Sequence, residues 1–378
     1  MNRLNMFCVG VVAFVAASCS QSDEWQIKCN VPEAWEGKTA IAWSADGLTP
    51  IAIDSTKVKD GKMNFTGPKC DTRYCEVKVY LNPANRNDYK LTPSFKVFVD
   101  SAIVTVNTSI ENNKASYDII GEGAENLWLN YLEETERLYN ERKDLMTIYI
   151  QKFYNEELED EGIAAAKNLT AKSEEIALFR EGFIKENHAS VVCLQVFKDL
   201  LNQPGDRTPA MLEEIFNVID KKLQESPMGQ ILDKRIHNRK VHIGANCPDL
   251  TVKDSKGRER KLSDYIMNGK YTLVDIWASW CTPCRGEIPF IKRAWQKYHN
   301  KGFNVVSISV DKKIEDWKQA LEYEQMTWTQ LHDEIQESFK VFETNLIPIT
   351  LLVDPEGKIC NINARGGWLD AALMEIFN

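Results

Sequence analysis

The sequence predicts an α/β domain at the C-terminal end of the chain, preceded by a β-rich sandwich or barrel and by a helical connector. Three changes of pattern divide the 378 residues in this way. Residues 25–121 contain short apolar runs separated by Asp-Gly, Asn-Pro and Thr-Pro turn signals. Residues 122–240 carry apolar side chains at helical spacing, and residues 241–378 alternate apolar strands with helices.

Residues 1–18 have the plan of a secretory signal peptide. Arg3 provides a positive start, residues 6–15 form an apolar run too short to span a bilayer, and small residues follow. The run ends at Cys19, where Ala-Ala-Ser-Cys resembles a bacterial lipobox. The resemblance implies cleavage before Cys19, its lipidation, and a short polar tether over residues 19–24. The alternative is simple cleavage that releases a soluble protein.

The β-rich and helical regions are predicted from their local patterns. The clearest strands lie at residues 39–43, 76–80 and 96–99, and they predict a small antiparallel sandwich or barrel. In the connector, apolar side chains recur between Glu, Arg and Lys, as in residues 211–223. The Gln-Pro-Gly-Asp run at residues 203–206 separates two of these helices.

Two cysteines lie where a buried strand of the C-terminal domain gives way to a helix. The strand covers residues 272–276 and the helix residues 284–298. A helix N-terminus offers unpaired N–H groups and partial positive charge, which stabilise the thiolate of Cys281. The two-residue spacing lets Cys284 reach back over one turn, so that it resolves a mixed disulfide formed by Cys281. Pro283 opens the helix.

Further elements alternate along the same domain. They are a strand at residues 304–310, a helix at 316–324, a hairpin formed by 349–354 and 358–362, and a helix at 369–377. This order predicts a βαβ unit followed by ββα, with a mixed sheet.

A Cys-x-x-Cys pair is also half of a zinc site. Zinc needs a second pair, and the candidate, Cys70 with Cys75, lies in the β-rich domain. The helix-opening proline favours redox chemistry, so we expect no metal and no cofactor. Cys70 and Cys75 remain either a structural disulfide or neighbours in a hairpin. We expect Cys247 to fill a buried position as a small apolar side chain.

The segment around the dithiol resembles the active-site signature of thioredoxin-fold proteins, in particular the exported TlpA/ResA-like branch. It reads Trp-Ala-Ser-Trp-Cys-Thr-Pro-Cys-Arg over residues 277–285, and Ile347-Pro348 ahead of a strand matches as well. The resemblance implies a thioredoxin fold over residues 241–378 and a cis Pro348 beside the dithiol. It also implies that Trp280, Pro283 and Ile347 contact substrate. The Thr-Pro between the cysteines departs from the Gly-Pro of reducing relatives, which puts the direction of electron flow in doubt.

Two carboxylates are candidates for proton transfer. Asp275 lies six residues before Cys281 inside an apolar strand, where burial raises the pKa of a carboxyl and suits it to exchange a proton with Cys284. Glu287 lies three residues after Cys284 on the same helix face and resembles an acid used near the site in the ResA-like branch. The alternative for Glu287 is a solvated surface charge.

These observations predict a lipid-anchored thiol–disulfide oxidoreductase of the cell envelope, in the outer membrane, facing the periplasm or the cell surface. By family analogy it reduces disulfides of exported proteins with electrons from a membrane donor. The alternatives are a thiol-dependent peroxidase of the peroxiredoxin branch and a binding lipoprotein with an auxiliary dithiol. The formal net charge of −9 and the lack of a basic stripe argue against nucleic acid as a partner.

Overall fold

The computed structural model describes residues 24–45, 49–68, 73–82, 92–99, 103–203, 207–266 and 269–377. The chain divides into two compact units between Leu127 and Trp128. The predicted signal peptide and the predicted lipidation site, Cys19, lie outside the described residues. Within the described part of the chain, no helix combines the length and apolar character needed to cross a bilayer.

The first unit is a β-sandwich. Its described strands are β1 Glu24–Asn30, β2 Thr39–Ser44, β3 Ile51–Lys57, β4 Lys62–Pro68, β5 Arg73–Tyr80, β6 Ser94–Val99, β7 Ile103–Glu111 and β8 Lys114–Ile120. They form two four-stranded sheets, in the orders β4-β1-β7-β8 and β3-β2-β5-β6. One apolar cluster takes side chains from both sheets, which identifies a sandwich rather than a barrel.

Strand β1 shows how the sequence sets this core. Trp25, Ile27 and Cys29 are buried and alternate with more exposed polar residues, as a strand with one face on a core requires. The strand pairs antiparallel with β4 and parallel with β7. The parallel pair departs from the predicted all-antiparallel arrangement, because its partners lie far apart in the sequence and local turn signals do not report them.

Helices fill the start of the second unit. They are α1 Gly123–Tyr149, α2 Glu159–Glu186, α3 Val192–Asn202, α4 Pro209–Val218, α5 Lys221–Gln224 and α6 Pro227–His237. A π-helix over Ile150–Asn155 follows α1. Helices α4 and α6 each begin with a hydroxyl N-cap, Thr208 and Ser226, followed by proline, as local sequence rules predict.

The rest of the second unit is a seven-stranded mixed sheet with flanking helices. Its strands are β9 Thr251–Asp254, β10 Glu259–Lys261, β11 Tyr271–Trp277, β12 Phe303–Ser309, β13 Thr329–His332, β14 Ile349–Val353 and β15 Ile359–Ile362, in the order β10-β9-β13-β12-β11-β14-β15. Its helices are α7 Ser263–Ile266, α8 Thr282–Tyr298, α9 Ile314–Glu324, α10 Glu337–Val341 and α11 Gly366–Phe377.

This sheet confirms the predicted fold class. Strands β11, β12 and β13 run parallel, while β14 pairs antiparallel with β11 and forms a hairpin with β15. The short strands β9, β10 and β13 were not predicted. Each has only three or four residues, too few for a periodic pattern to stand out. Strand β11 is buried along most of its length, so its carboxyl end delivers the next segment from the core to the surface.

Candidate active site

The two cysteines lie together at the start of α8, directly after β11. Cys281 is the N-cap residue, and its sulfur accepts a hydrogen bond of 3.2 Å from the Cys284 backbone N–H. The pair forms a disulfide with a Cα–Cα distance of 5.3 Å. Both sulfurs therefore lie at the positive end of a helix, where a thiolate released on reduction is stabilised.

The residues predicted to contact substrate lie around the disulfide and differ in how far their side chains are exposed to solvent. Trp280 is 64% exposed, whereas Cys281 is only 4% exposed. The Ile347–Pro348 bond is cis, as the family resemblance implied. The carbonyl oxygen of Ile347 lies 3.9 Å from Cys281 Sγ, so the segment before β14 borders the sulfur that a substrate would meet. Pro283 is exposed in the first turn of α8.

Asp275 occupies the interior of the sheet, between the neighbouring strands β12 and β14. It is 3% exposed, and its Oδ2 accepts a hydrogen bond of 2.9 Å from Ser307 Oγ. Burial raises the pKa of Asp275 to about 7, the Ser307 bond opposes this, and the Glu287 carboxyl adds to it. Such a carboxyl can hold or release a proton near neutral pH.

Glu287 is buried, with 7% exposure, so the structure does not support the alternative of a solvated surface charge. It lies three residues after Cys284 in α8, and both side chains are on the buried face of the helix. Burial raises the pKa of Glu287, while a hydrogen bond from Tyr154 and the charge of Arg365 lower it.

Asp311 is a further residue at the site that the sequence analysis did not identify. Its carboxylate accepts hydrogen bonds from the Ser279 backbone N–H, at 2.9 Å, and from Ser279 Oγ, at 2.7 Å. Ser309 Oγ donates a third bond, at 2.7 Å. Asp311 therefore anchors the turn that leads into the dithiol. The usable signal was its position just beyond β12, because carboxyl ends of neighbouring parallel strands meet at one edge of a sheet.

Three buried cysteines outside the dithiol are poor nucleophiles. Burial raises the pKa of Cys29, Cys193 and Cys247 to about 12, which leaves almost no thiolate at neutral pH. Cys247 is 8% exposed and packs in the core, as expected. Cys75 is buried in β5, but Cys70 lies outside the described residues, so the pairing of these two is not tested. Among the described residues no cluster of His, Cys, Asp and Glu fits a metal ion.

Comparisons with known proteins concern the C-terminal third of the chain. The sequence pattern of the AhpC/TSA family matches residues 243–362. The thiol-disulfide oxidoreductase ResA of Geobacillus thermodenitrificans is 27% identical over 122 residues, which are 32% of this chain and 69% of that protein.

Solved structures match the same region. The thioredoxin domain of a thiol-disulfide oxidoreductase from Bacteroides vulgatus is 33% identical, over 36% of this chain and 99% of that chain, with a TM-score of 0.34. A thiol:disulfide interchange protein from Bacteroides sp. is also 33% identical, over 37% of this chain and 92% of that chain, with a TM-score of 0.34.

Proposed function

We propose that the C-terminal domain, which matches the AhpC/TSA family pattern over residues 243–362 and is similar to thiol-disulfide oxidoreductases, reduces disulfides of envelope proteins through Cys281 and Cys284. The observation that carries the proposal is the disulfide at the N-terminus of α8, bordered by the Ile347 carbonyl oxygen. The N-terminus of a helix stabilises a thiolate, and an exposed apolar side chain such as Trp280 offers a contact to an unfolded segment.

In the proposed reaction, the Cys281 thiolate attacks one sulfur of the substrate disulfide. A mixed disulfide forms, and the other substrate sulfur leaves as a thiolate that takes up a proton. Cys284 then loses its proton, and its thiolate attacks Cys281 Sγ. The second substrate thiol leaves, and the Cys281–Cys284 disulfide remains. Two electrons have passed to the substrate, and an external dithiol must return them.

Asp275 and Glu287 are the proposed proton acceptors for Cys284. A general base works best when its pKa lies near the working pH, and the pKa of Asp275 is raised to about 7. The Glu287 carboxyl also has a raised pKa. The Cys284 proton would move to one of these carboxylates as the mixed disulfide is resolved.

The same proposal places the protein outside the cytoplasm, anchored by lipid on Cys19. The signal-like residues 1–18 and the lipobox-like Ala-Ala-Ser-Cys support it. The predicted polar tether after Cys19 is the basis for proposing that the protein lies in the outer membrane and faces the periplasm or the cell surface. Cytosolic reductases do not reach this side, so the electron donor would be a membrane protein.

The reduction potential of the Cys281–Cys284 couple tests the proposal. The full chain is equilibrated with glutathione and dithiothreitol buffers, with Cys281→Ser as the control that cannot form the disulfide. A potential near that of thioredoxin, roughly −270 mV, supports a reductant. A potential near about −120 mV identifies an oxidant and overturns the direction.

Two other outcomes decide between the remaining functions. The absence of a reversible two-electron couple would favour a binding lipoprotein whose ligand site lies in residues 25–238. Peroxide consumption without reduction of a protein disulfide would favour a peroxidase.

A further inference from the structure

One side chain of the helical region contacts a residue of the candidate active site. The π-helix that follows α1 carries Tyr154, and its hydroxyl donates a hydrogen bond of 2.7 Å to Glu287 Oε1. These residues lie 133 positions apart in the sequence. Single π-turns inside or beside α-helices often occur at functional sites, since they redirect one side chain out of the regular helical pattern.

Close packing fixes the π-helix in place. Phe153 packs against Phe290 of α8, with tilted rings whose centroids are 4.8 Å apart, and it is 2% exposed. A Cβ atom added to Gly162 would lie 2.5 Å from the Phe153 ring. The Tyr149 hydroxyl accepts a hydrogen bond of 3.0 Å from the Gly367 backbone N–H. The Tyr154 ring itself contacts the rings of Tyr149 and Phe290, with centroid distances of 5.6 and 5.1 Å.

Other charged and titratable groups also act on Glu287. They are Arg365 and Asp370, which act on its charge, the Tyr149 hydroxyl beside Tyr154, and Asp275 in the sheet. Asp370 pairs with Arg293 of α8. Within this set, Tyr154 provides the hydroxyl that donates directly to the Glu287 carboxylate.

We propose that Tyr154 is a positioning residue that orients the Glu287 carboxyl for proton exchange with the Cys284 thiol. This inference rests on the proposed function of the dithiol. A donor to a carboxylate favours the charged form, so Tyr154 keeps Glu287 able to accept a proton in spite of its burial. The helical region would then be part of the redox site as well as a connector.

The test separates the two sulfur steps in a single turnover. The reduced full chain is mixed with an aromatic disulfide that releases one coloured thiolate when Cys281 attacks and a second when Cys284 resolves the mixed disulfide. In Tyr154→Phe, the pH profile of the rate constant for the second release should move to higher pH by about one unit. The pH profile of the rate constant for the first release should be unchanged. Tyr139→Phe, which removes a hydroxyl bonded to Arg180, is the matched control and should leave both profiles unchanged.

Coinciding second-release profiles for wild type and Tyr154→Phe would overturn the inference, whatever the change in stability. If Tyr154→Phe does not fold, 3-fluorotyrosine at position 154 keeps the ring and strengthens the donor. The second profile should then move to lower pH, and an unmoved profile again rejects the role. Failure of the proposed function is distinct, because it is read from the reduction potential of wild type and not from the pH profile of the second release.

Discussion

The cores of the β-sandwich and of the seven-stranded sheet are built from different side chains. Among the described residues up to Leu127, Thr92 and Glu125 are the buried polar side chains. From residue 241 onward the described chain buries twelve: Asp254, Thr272, Asp275, Glu287, Ser307, Ser309, Asp311, His332, Asp333, Ser338, Thr350 and Asp370.

Several of these polar groups form hydrogen bonds on or beside strands β11, β12 and β13. Trp328 Nε1 donates to Ser307 Oγ at 2.8 Å, and Ser307 donates to Asp275. His332 Nε2 lies 2.6 Å from the Asp311 carbonyl oxygen. Burying a polar group costs about 1–3 kcal/mol when its bonds are not replaced. The two cores therefore differ in kind: the domain with the dithiol buries polar groups and satisfies them with hydrogen bonds, while the sandwich core is almost entirely apolar.

Among the variants that test this comparison, we expect Asp275→Asn to have the largest effect on the free energy of unfolding. Burial raises the folded-state pKa of Asp275 to about 7 from an ordinary value of 3.8. The contribution of Asp275 to stability is therefore complete below the ordinary value and is lost as pH rises to about 7, by roughly 4 kcal/mol. The variant lacks this loss, so above pH 7 it should be the more stable protein.

Hydrogen exchange of β11 amides in the oxidised protein, at several urea concentrations and pH values, measures this difference. Asp118→Asn, an exposed change in the sandwich, is the matched control and should follow wild type. Parallel stability curves for wild type and Asp275→Asn between pH 4 and 8 would contradict the assignment of a buried carboxyl.

A cavity in the sandwich should test whether that core serves packing alone. Ile27 is 0% exposed, and Ile27→Ala should destabilise the first unit by about 3 kcal/mol. We expect disulfide-reduction rates to stay within about two-fold of wild type, since the variant does not touch the dithiol. Exchange of β1 amides reports the stability, and the neighbouring exposed change Lys28→Ala is the control. A parallel loss of turnover would break the comparison.

The smallest effect on stability is expected at Trp280. This side chain is 64% exposed, so Trp280→Ala should change the free energy of unfolding by less than about 0.5 kcal/mol. The KM for a peptide disulfide should nevertheless rise about ten-fold, because an aromatic contact to substrate is lost. Ile51→Ala, which truncates a 66% exposed side chain of the sandwich, should leave KM unchanged. Equal KM values for the two variants would remove Trp280 from the substrate surface.

Local patterns predicted the parts of the site that depend on neighbours in sequence. An apolar strand, a Cys-x-x-Cys pair and a helix-opening proline were enough to place Cys281 and Cys284 at the start of α8. The position of Asp275 inside that strand was enough to predict its raised pKa. Helical spacing was enough to place Glu287 on the same face of α8 as Cys284. Its burial could not be predicted in this way, because it depends on the helical region that packs against that face.

The remaining features depend on tertiary contacts that no local pattern reports. Tyr154 lies in a helical stretch that matches no functional motif, and its partner is 133 residues away. Asp311 follows β12, and its link to Ser279 requires that β11 and β12 be adjacent and parallel. The parallel pairing of β1 with β7 is missed for the same reason.

Gly366, at the start of α11, lies close to two tyrosine hydroxyls of the helical region. Its φ is +50°, and a Cβ atom there would lie 2.5 Å from the Tyr149 hydroxyl and 2.8 Å from that of Tyr154. The two tyrosines of the helical region can therefore pack against the backbone at position 366 only because that residue has no side chain. A fragment that begins at residue 241 would expose the rings of Phe290 and Trp368 and admit water to Glu287. Such a fragment would tend to self-associate, and its rates would describe a hydrated acid that the intact chain does not have.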